Sequence, residues 1–445
     1  MRAPLFADTV AAVATPPGRG AVALVRVSGP DALAVLLRLA PALREAPSPR
    51  TQRVVRLVHP DTGETLDRGL AVYFPAPASY TGEDVVEIAT HGGVLTPQLV
   101  LDAALAAGAR AAQPGEFTRR AYLHGKLDLL QAEAVADLID GRSPALHRAA
   151  VHQMERGLSR RVEGLREALV GAQALLVYGI DFPEEDEPPV PPARVRAAAE
   201  EVLGRLEGLL ATAPEGELLR EGALVVLAGR PNSGKSSLFN ALLGTERAIV
   251  TDVPGTTRDA LEAAVTLEGY PFRLVDTAGL RETVDRVEEI GIEVARRYLA
   301  AAQIVLFCVE AGRPLHADEA GFLRELRPEA TVLVRTKADL APGAEAGLTG
   351  DGLPELRGVL LRMAFGGILG EPGEAPLLTR ERHARALRRA RGEVELFLAA
   401  WDGGVPPEFA ATHLQAAAGA LEDLLGAIGT EDVLDRVFGQ FCVGK

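Results

Sequence analysis

The 445-residue chain is poor in cysteine, lysine and asparagine. Its two cysteines are Cys308, inside the apolar run "IVLFCVE", and Cys442, in the final "FCVGK". Cysteines so few and so placed give no disulfide framework, which suits a reducing cytoplasm. No run approaches the roughly 18 uninterrupted apolar residues of a membrane span, so no membrane association is expected. Asp8 interrupts the apolar start "MRAPLFADTVAAVA", which reads as a first strand rather than a signal peptide. Basic charge is also short. The net charge of −14 argues against a broadly basic nucleic-acid-binding surface and leaves RNA to a local patch or a partner protein. Of 47 basic residues only Lys126, Lys235, Lys337 and Lys445 are lysines, and Asn232 and Asn240 are the only asparagines. Where arginine has replaced lysine so widely, the surviving lysines mark positions that need a compact ammonium on a flexible stem.

What is present is globular. Apolar residues make up 47% of the chain, enough for two to four domains with their own cores. Residues 1–118 mix short β-like runs ("AVALVRVSG", "RGLAVYF", "DVVEIATHGG") with turn signals and one Ala-rich helix, "TPQLVLDAALAAGA", an α+β pattern. Residues 119–217 are helical, broken by the acidic, proline-rich loop "DFPEEDEPPVPPA". Strands and helices alternate over 218–375, the pattern of a parallel α/β sheet. Helical periodicity returns over 376–445. The two helical stretches are expected to form one all-α domain with the α/β unit inserted between them.

The segment "GALVVLAGRPNSGKSSLFNALLG" is the most specific signal. An apolar strand leads into Gly229, four residues, then Gly234, Lys235 and Ser236, and a helix follows: the phosphate loop in its required strand–loop–helix setting. Backbone amides close around phosphate oxygens and the helix N-terminus adds its positive end. Asn232, Ser233, Gly234, Lys235, Ser236 and Ser237 are the predicted phosphate-side residues, with Lys235 on the β/γ-phosphates and the Ser236 hydroxyl on Mg²⁺. Downstream, "RLVDTAGL" supplies Asp276, Thr277, Ala278 and Gly279 as the metal-side acid and γ-phosphate sensor of a GTPase. "VTDVPGTTRD" fits the first switch, with Thr257 as the Mg²⁺-sensing hydroxyl. "TVLVRTKADL" places Lys337 and Asp339 where GTPases carry N-K-x-D, and a carboxylate accepting from guanine N–H groups rejects adenine by roughly 10⁴ or more. Thr336 stands where the usual Asn supports that loop, and the "AGLTGDG" stretch offers the backbone amides of Ala346 and Gly347 to the guanine carbonyl. The expected fold of 218–375 is therefore a Ras-like α/β P-loop G domain.

Two residues bear on mechanism. Leu280 follows Gly279, where Ras-type enzymes hold a Gln that orients the attacking water. Leucine cannot do this, so another group must. Asn232, inside the phosphate loop, either shapes that loop or offers an amide oxygen to a monovalent cation between the β- and γ-phosphates. Such a cation supplies the charge of an arginine finger, worth about 10³–10⁵ in rate.

The segments "DTVAAVATPPGRGAVALVRVSG", "SYTGEDVVEIATHGG", "PGEFTRRAYLHGKLDLLQAEAVADLID", the GTPase motifs and the terminal "FCVGK" resemble, from end to end, the bacterial tRNA-modification GTPases of the MnmE (TrmE) family. The resemblance implies a folate-binding, dimerising N-terminal domain and a helical domain split by the G domain. It implies GTP-driven 5-carboxymethylaminomethyl modification of the wobble uridine of certain tRNAs. The implied assembly is a homodimer that forms a heterotetramer with the flavin- and NADH-using protein MnmG, and the one-carbon source is 5-formyl- or 5,10-methylene-tetrahydrofolate. Carried over by motif, the folate residues are Arg26, Glu87, Lys126 and Lys445. The potassium ligands are Asn232, Thr251, the Val253 carbonyl and Thr256, and the water-orienting acid is Glu288.

The tail has a reading of its own. In "GTEDVLDRVFGQF", Thr430 is the expected N-cap, with Glu431 and Asp432 in the first turn. Val433, Leu434, Val437, Phe438 and Phe441 form an apolar face expected to pin the helix to the helical domain. Cys442 and Lys445 then project toward folate and uridine, Cys442 acting in chemistry or merely packing as a small hydrophobe. A ribosome-assembly GTPase would need a basic RNA module, a membrane-dimerising GTPase a basic amphipathic helix, and a folate transferase with a vestigial G domain a decayed phosphate loop. The sequence has none of these.

Overall fold

The computed structural model describes residues 6–141, 143–181, 191–244, 262–276, 296–338, 352–366, 378–426, 431–439 and 441–444. Backbone contacts divide the chain into two compact units, residues 1–136 with 422–445, and residues 137–421.

In the first unit the β-like runs become one sheet in the order β3-β4-β5-β2-β1-β6. The strands are β1 (Val10–Val13), β2 (Val22–Ser28), β3 (Arg53–Val58), β4 (Thr65–Phe74), β5 (Val85–His91) and β6 (Arg110–Ala111). Only the β1–β6 pairing is parallel. Alternation decides the faces. Val25, Val27, Val86 and Ile88 join the core with α1 (Ala32–Leu39) and α2 (Leu95–Ala106), which puts Arg26 and Glu87 on the opposite face. The sequence reading gave this region α2 alone. The structure adds α1, whose buried Ala32, Val35, Leu36 and Leu39 follow helical spacing, and α3 (Glu116–Leu123). At eight nearly all-apolar residues, α1 cannot be told from a buried strand by periodicity.

Helices α4 (Leu129–Asp140), α5 (Pro144–Met154), α6 (Gly157–Asp181), α7 (Pro192–Leu210) and α8 (Ala213–Glu221) follow. A second sheet then runs β11-β10-β7-β9-β8, made from β7 (Ala223–Ala228), β8 (Glu262–Leu267), β9 (Tyr270–Asp276), β10 (Ile304–Glu310) and β11 (Thr331–Thr336). All its pairings are parallel except β8 with β9. Interleaved are α9 (Lys235–Leu243), α10 (Ala317–Glu325) and α11 (Leu353–Phe365). Strand β7 is buried on both faces. Ala223, Val225 and Leu227 meet Leu360 and Phe365 of α11, while Leu224, Val226 and Ala228 share the other core with Phe307 and Phe322. That is why "ALVVLA" is continuously apolar rather than alternating.

Two further helices, α12 (Glu381–Asp402) and α13 (Pro407–Leu425), complete the second unit's part of the helical chain. Helix α7 packs against α6 and against α12, so the helical stretches before and after the α/β sheet meet. The buried Asp137 carboxylate receives Arg380 at 2.5 Å and Arg220 at 3.7 Å. Arg220 lies just before β7 and Arg380 just before α12, so both connections to the sheet are tied to one acid.

The terminal helix α14 (Glu431–Phe438) lies in the first unit. There α14 packs against α3, whose residues from 119 onward belong to the stretch expected to be helical. Leu434, Val437, Phe438 and Phe441 are buried, and Arg119 pairs with Asp435 at 2.9 Å. The cause is local. Gly115, at the start of α3, has no side chain, and a Cβ there would run into the Phe438 carbonyl. Thr430 and the Val433 side chain lie outside the described residues. Among the described residues no helix is long and apolar enough to cross a membrane.

Candidate functional site

The first unit gathers a site around Arg26. The antiparallel register sets Arg26 of β2 directly opposite Glu87 of β5, and the guanidinium donates to Glu87 Oε1 from Nε at 3.0 Å and Nη2 at 2.8 Å. Its remaining nitrogen, Nη1, donates to the Gly444 carbonyl at 3.3 Å, across 418 residues of sequence. The Tyr80 and Phe117 rings lie 5.3 Å and 5.6 Å from the guanidinium carbon, within cation–π reach. Tyr80 is held by a 2.8 Å hydrogen bond with Thr118. The tail arrives here because Gly444 can: its φ of +101° and a would-be Cβ only 2.7 Å from the Val13 carbonyl exclude a side chain. The carbonyl of exposed Cys442 accepts from the Gly115 amide at 3.4 Å. Two of the four expected folate residues, Arg26 and Glu87, are thus brought together. Lys126 instead donates to the Pro77 carbonyl at 3.1 Å, and Lys445 lies outside the described residues.

Beneath this site is a charged layer that the sequence reading missed. Arg120 is fully buried. It reaches Glu83 at 3.2 Å, Asp8 at 2.8 Å and Glu116 at 2.9 Å, and donates to the Asp8 carbonyl at 3.0 Å. Glu83 accepts from the Ser28 hydroxyl at 2.8 Å, and Ser28 lies 2.7 Å from Thr81. Burial alone would raise the Glu116 carboxyl. Hydrogen bonds from Arg110, the Gln113 amide and Arg120 hold it below its ordinary value instead. The signal was in "TGED" and "EFTRR", but an arginine reads as surface unless its partners are known.

In the second unit the C-terminal ends of the parallel strands converge, where open α/β sheets bind ligands. Gly229 follows β7 with φ +139°, and a Cβ there would enter the Cys308 carbonyl of β10. Asn232 adopts φ +60°, a left-handed conformation asparagine tolerates better than most residues. Gly234 precedes α9, and Lys235 and Ser236 open it, with Ser237 next. The Lys235 ammonium donates to the Arg230 carbonyl at 2.8 Å and the Gly229 carbonyl at 3.1 Å, so its stem lies along the loop. The Ser236 hydroxyl donates to Asp276 Oδ2 at 2.9 Å, joining the two oxygen groups expected around Mg²⁺, an ion that takes oxygen ligands. The Ser233 hydroxyl is buried without a partner among the described residues. Cys308 is buried, and that burial pushes its thiol up to about 12.

Thr336 supplies the support expected of an asparagine. Its hydroxyl lies 2.6 Å from the Ser233 carbonyl and 3.2 Å from that of Val309, tying the end of β11 to the phosphate loop. Lys337 follows with φ +53°. Thr251, Val253, Thr256, Thr257, Thr277, Ala278, Gly279, Leu280, Glu288, Asp339, Ala346 and Gly347 lie outside the described residues.

A glycine loop between strand and helix, a lysine folded along it and a paired serine and aspartate define a P-loop nucleotide-binding protein. Residues 129–442 match the family model for the MnmE helical domain, and residues 9–126 that for the N-terminus of the GTP-binding protein TrmE. The chain is 41% identical to the tRNA modification GTPase MnmE of Moorella thermoacetica and 43% identical to that of Neisseria meningitidis serogroup B, over 98% of this chain and 99% of each relative. The chain belongs to the MnmE (TrmE) family of tRNA modification GTPases.

Proposed function

We propose that this protein hydrolyses GTP with the help of K⁺ and Mg²⁺ and thereby drives addition of a carboxymethylaminomethyl group to C5 of the wobble uridine of certain tRNAs. It acts as a homodimer with a flavin-dependent partner of the MnmG type, in the cytoplasm, and takes its one-carbon unit from a 5-formyl- or 5,10-methylene-tetrahydrofolate. The observation that carries the reading is the meeting of the tail with the Arg26–Glu87 pair. A guanidinium edged by two aromatic rings fits a flat, polar heterocycle with carboxylates, which is the chemistry of a folate. Bound there, the folate would supply the one-carbon unit. Arg26 would orient the ring, Glu87 would hold Arg26, and the tail would bring Cys442 and Lys445 beside it.

In the GTP site, Lys235 would turn from the loop carbonyls to the β/γ-phosphates, and Ser236, Asp276 and Thr257 would hold Mg²⁺ directly or through water. Asn232, Thr251, the Val253 carbonyl and Thr256 would hold K⁺, and Glu288 would orient the attacking water. Exposed Val22, Val94 and Leu95 near one end of the β2–β5 ladder support the homodimer, and the two free cysteines support a reducing compartment. The test is mass spectrometry of nucleosides from tRNA incubated with the protein, the flavoprotein, the folate and GTP. The wild type should form the modified uridine, and Lys235→Ala and a chain lacking residues 441–445 should not. Full modification by the truncated chain would contradict the role given to the tail. Cys442→Ser separates its two roles, since a cysteine that only packs leaves modification near normal.

A further inference from the structure

We infer that Glu310, at the end of β10, is a positioning residue for nucleotide binding that acts through Lys337. The inference rests on the reading of residues 336–339 as the guanine loop. Strands β10 and β11 are in register to their ends, with Glu310 opposite Thr336. The Ala311 amide donates to the Thr336 carbonyl at 2.8 Å, and Arg335 reaches over to the Arg313 carbonyl at 3.0 Å. Thr336 is in turn bonded to Ser233 of the phosphate loop. Lys337 therefore leaves the sheet beside the phosphate loop, where the base of a bound nucleotide would pass.

Its backbone there is left-handed, at φ +53°, a conformation costly for a residue with a Cβ. Its ammonium has one ion-pair partner among the described residues, Glu310 Oε1 at 3.3 Å. Glu319, the buried acid of α10, is held by Arg313 at 2.6 Å. Glu310 thus fixes the direction of the Lys337 stem, whose methylenes can lie along one face of a purine, and lowers the entropy that this long side chain would lose on binding. Sequence motifs do not expose this role, because Glu310 ends the apolar strand "IVLFCVE" as an ordinary cap of charge.

The experiment is a double-mutant cycle on the full chain. The dissociation constant and off-rate of a fluorescent N-methylanthraniloyl-GDP are measured for the wild type, Glu310→Gln, Lys337→Met and the pair, at two salt concentrations. Glu310→Gln should weaken binding about threefold to fivefold, as an exposed ion pair allows, mainly through the off-rate, with kcat for GTP hydrolysis at saturation unchanged. The double variant should bind no worse than Lys337→Met. Glu310→Asp, which keeps the charge but shortens the reach, should lie between the wild type and Glu310→Gln and guards against a folding artefact. Wild-type affinity in Glu310→Gln, or fully additive losses in the pair, would overturn the inference. If Lys337→Met itself left affinity unchanged, the guanine-loop reading would fall, and the inference with it.

Discussion

Replacing Arg120 by methionine should destabilise the first unit severely without touching the G-domain sheet. Arg120 is fully buried, and its chief partner Glu83 has a side chain only 6% exposed. Methionine matches the stem of arginine but leaves the Glu83 carboxylate with the Ser28 hydroxyl and no charge to balance it. Breaking a buried pair by removing one partner costs about 3–5 kcal/mol. For a unit of this size that is a fall of about 6–20 °C in its Tm. The assay is calorimetry, because the two units need not melt together, with GTP hydrolysis as the control that the second unit is intact. Adding Glu83→Gln should recover part of the loss, since the stranded charge is then gone. Acid should act on the same cluster. The Asp8 and Glu116 carboxyls lie below their ordinary values of 3.8 and 4.5, so the stability they contribute is complete above those values and is lost as pH falls through the folded ones. The wild type should weaken below about pH 4.5, and Arg120→Met should show a shallower acid slope. A Tm loss of only a degree or two, or a second substitution that adds its full cost, would refute the reasoning.

Other outcomes follow from the second unit. GTP turnover should be faster in K⁺ than in Na⁺ at equal ionic strength, and Asn232→Ala should erase the difference; equal wild-type rates would remove the cation from the mechanism. Glu288→Ala should lower kcat with GTP affinity nearly unchanged, the pattern of a lost transition-state interaction, and an equal loss of affinity would assign Glu288 to binding instead. Hydrogen bonds from Arg313 hold the Glu319 carboxyl down to about 2. Its contribution is therefore present above pH 4.5 and lost as pH falls toward 2, and Glu319→Gln should abolish that part of the acid transition in chemical denaturation while leaving the neutral-pH GTPase rate intact.

The phosphate loop was legible because its chemistry is written locally. Glycines, lysine and serine at fixed spacing between an apolar strand and a helix leave little freedom, and the structure places Gly229, Lys235 and Ser236 accordingly. The apolar β2, β5 and β7 runs were legible for the same reason. The Arg26 site was only half legible. Its register pair with Glu87 spans 61 residues and its bond to Gly444 spans 418, and no periodicity carries such contacts. Gly115 and Gly444 matter through a close approach of distant backbone, which a sequence shows only as glycine. Thr336 is the opposite lesson. It read as a departure from a motif, yet its hydroxyl makes the bond to the phosphate loop.

The most direct measurement is calorimetric titration of 5-formyl-tetrahydrofolate into the wild-type chain, Arg26→Met and Gly444→Ala. Alanine at 444 meets the Val13 carbonyl at 2.7 Å, so it must displace the tail from Arg26 while leaving the buried layer around Arg120 in place. The wild type should bind the folate at one site per chain, Gly444→Ala should bind it markedly more weakly, and Arg26→Met should not bind it measurably. Equal affinity in all three, or no binding by the wild type, would contradict the claim that tail and Arg26 together build a folate site.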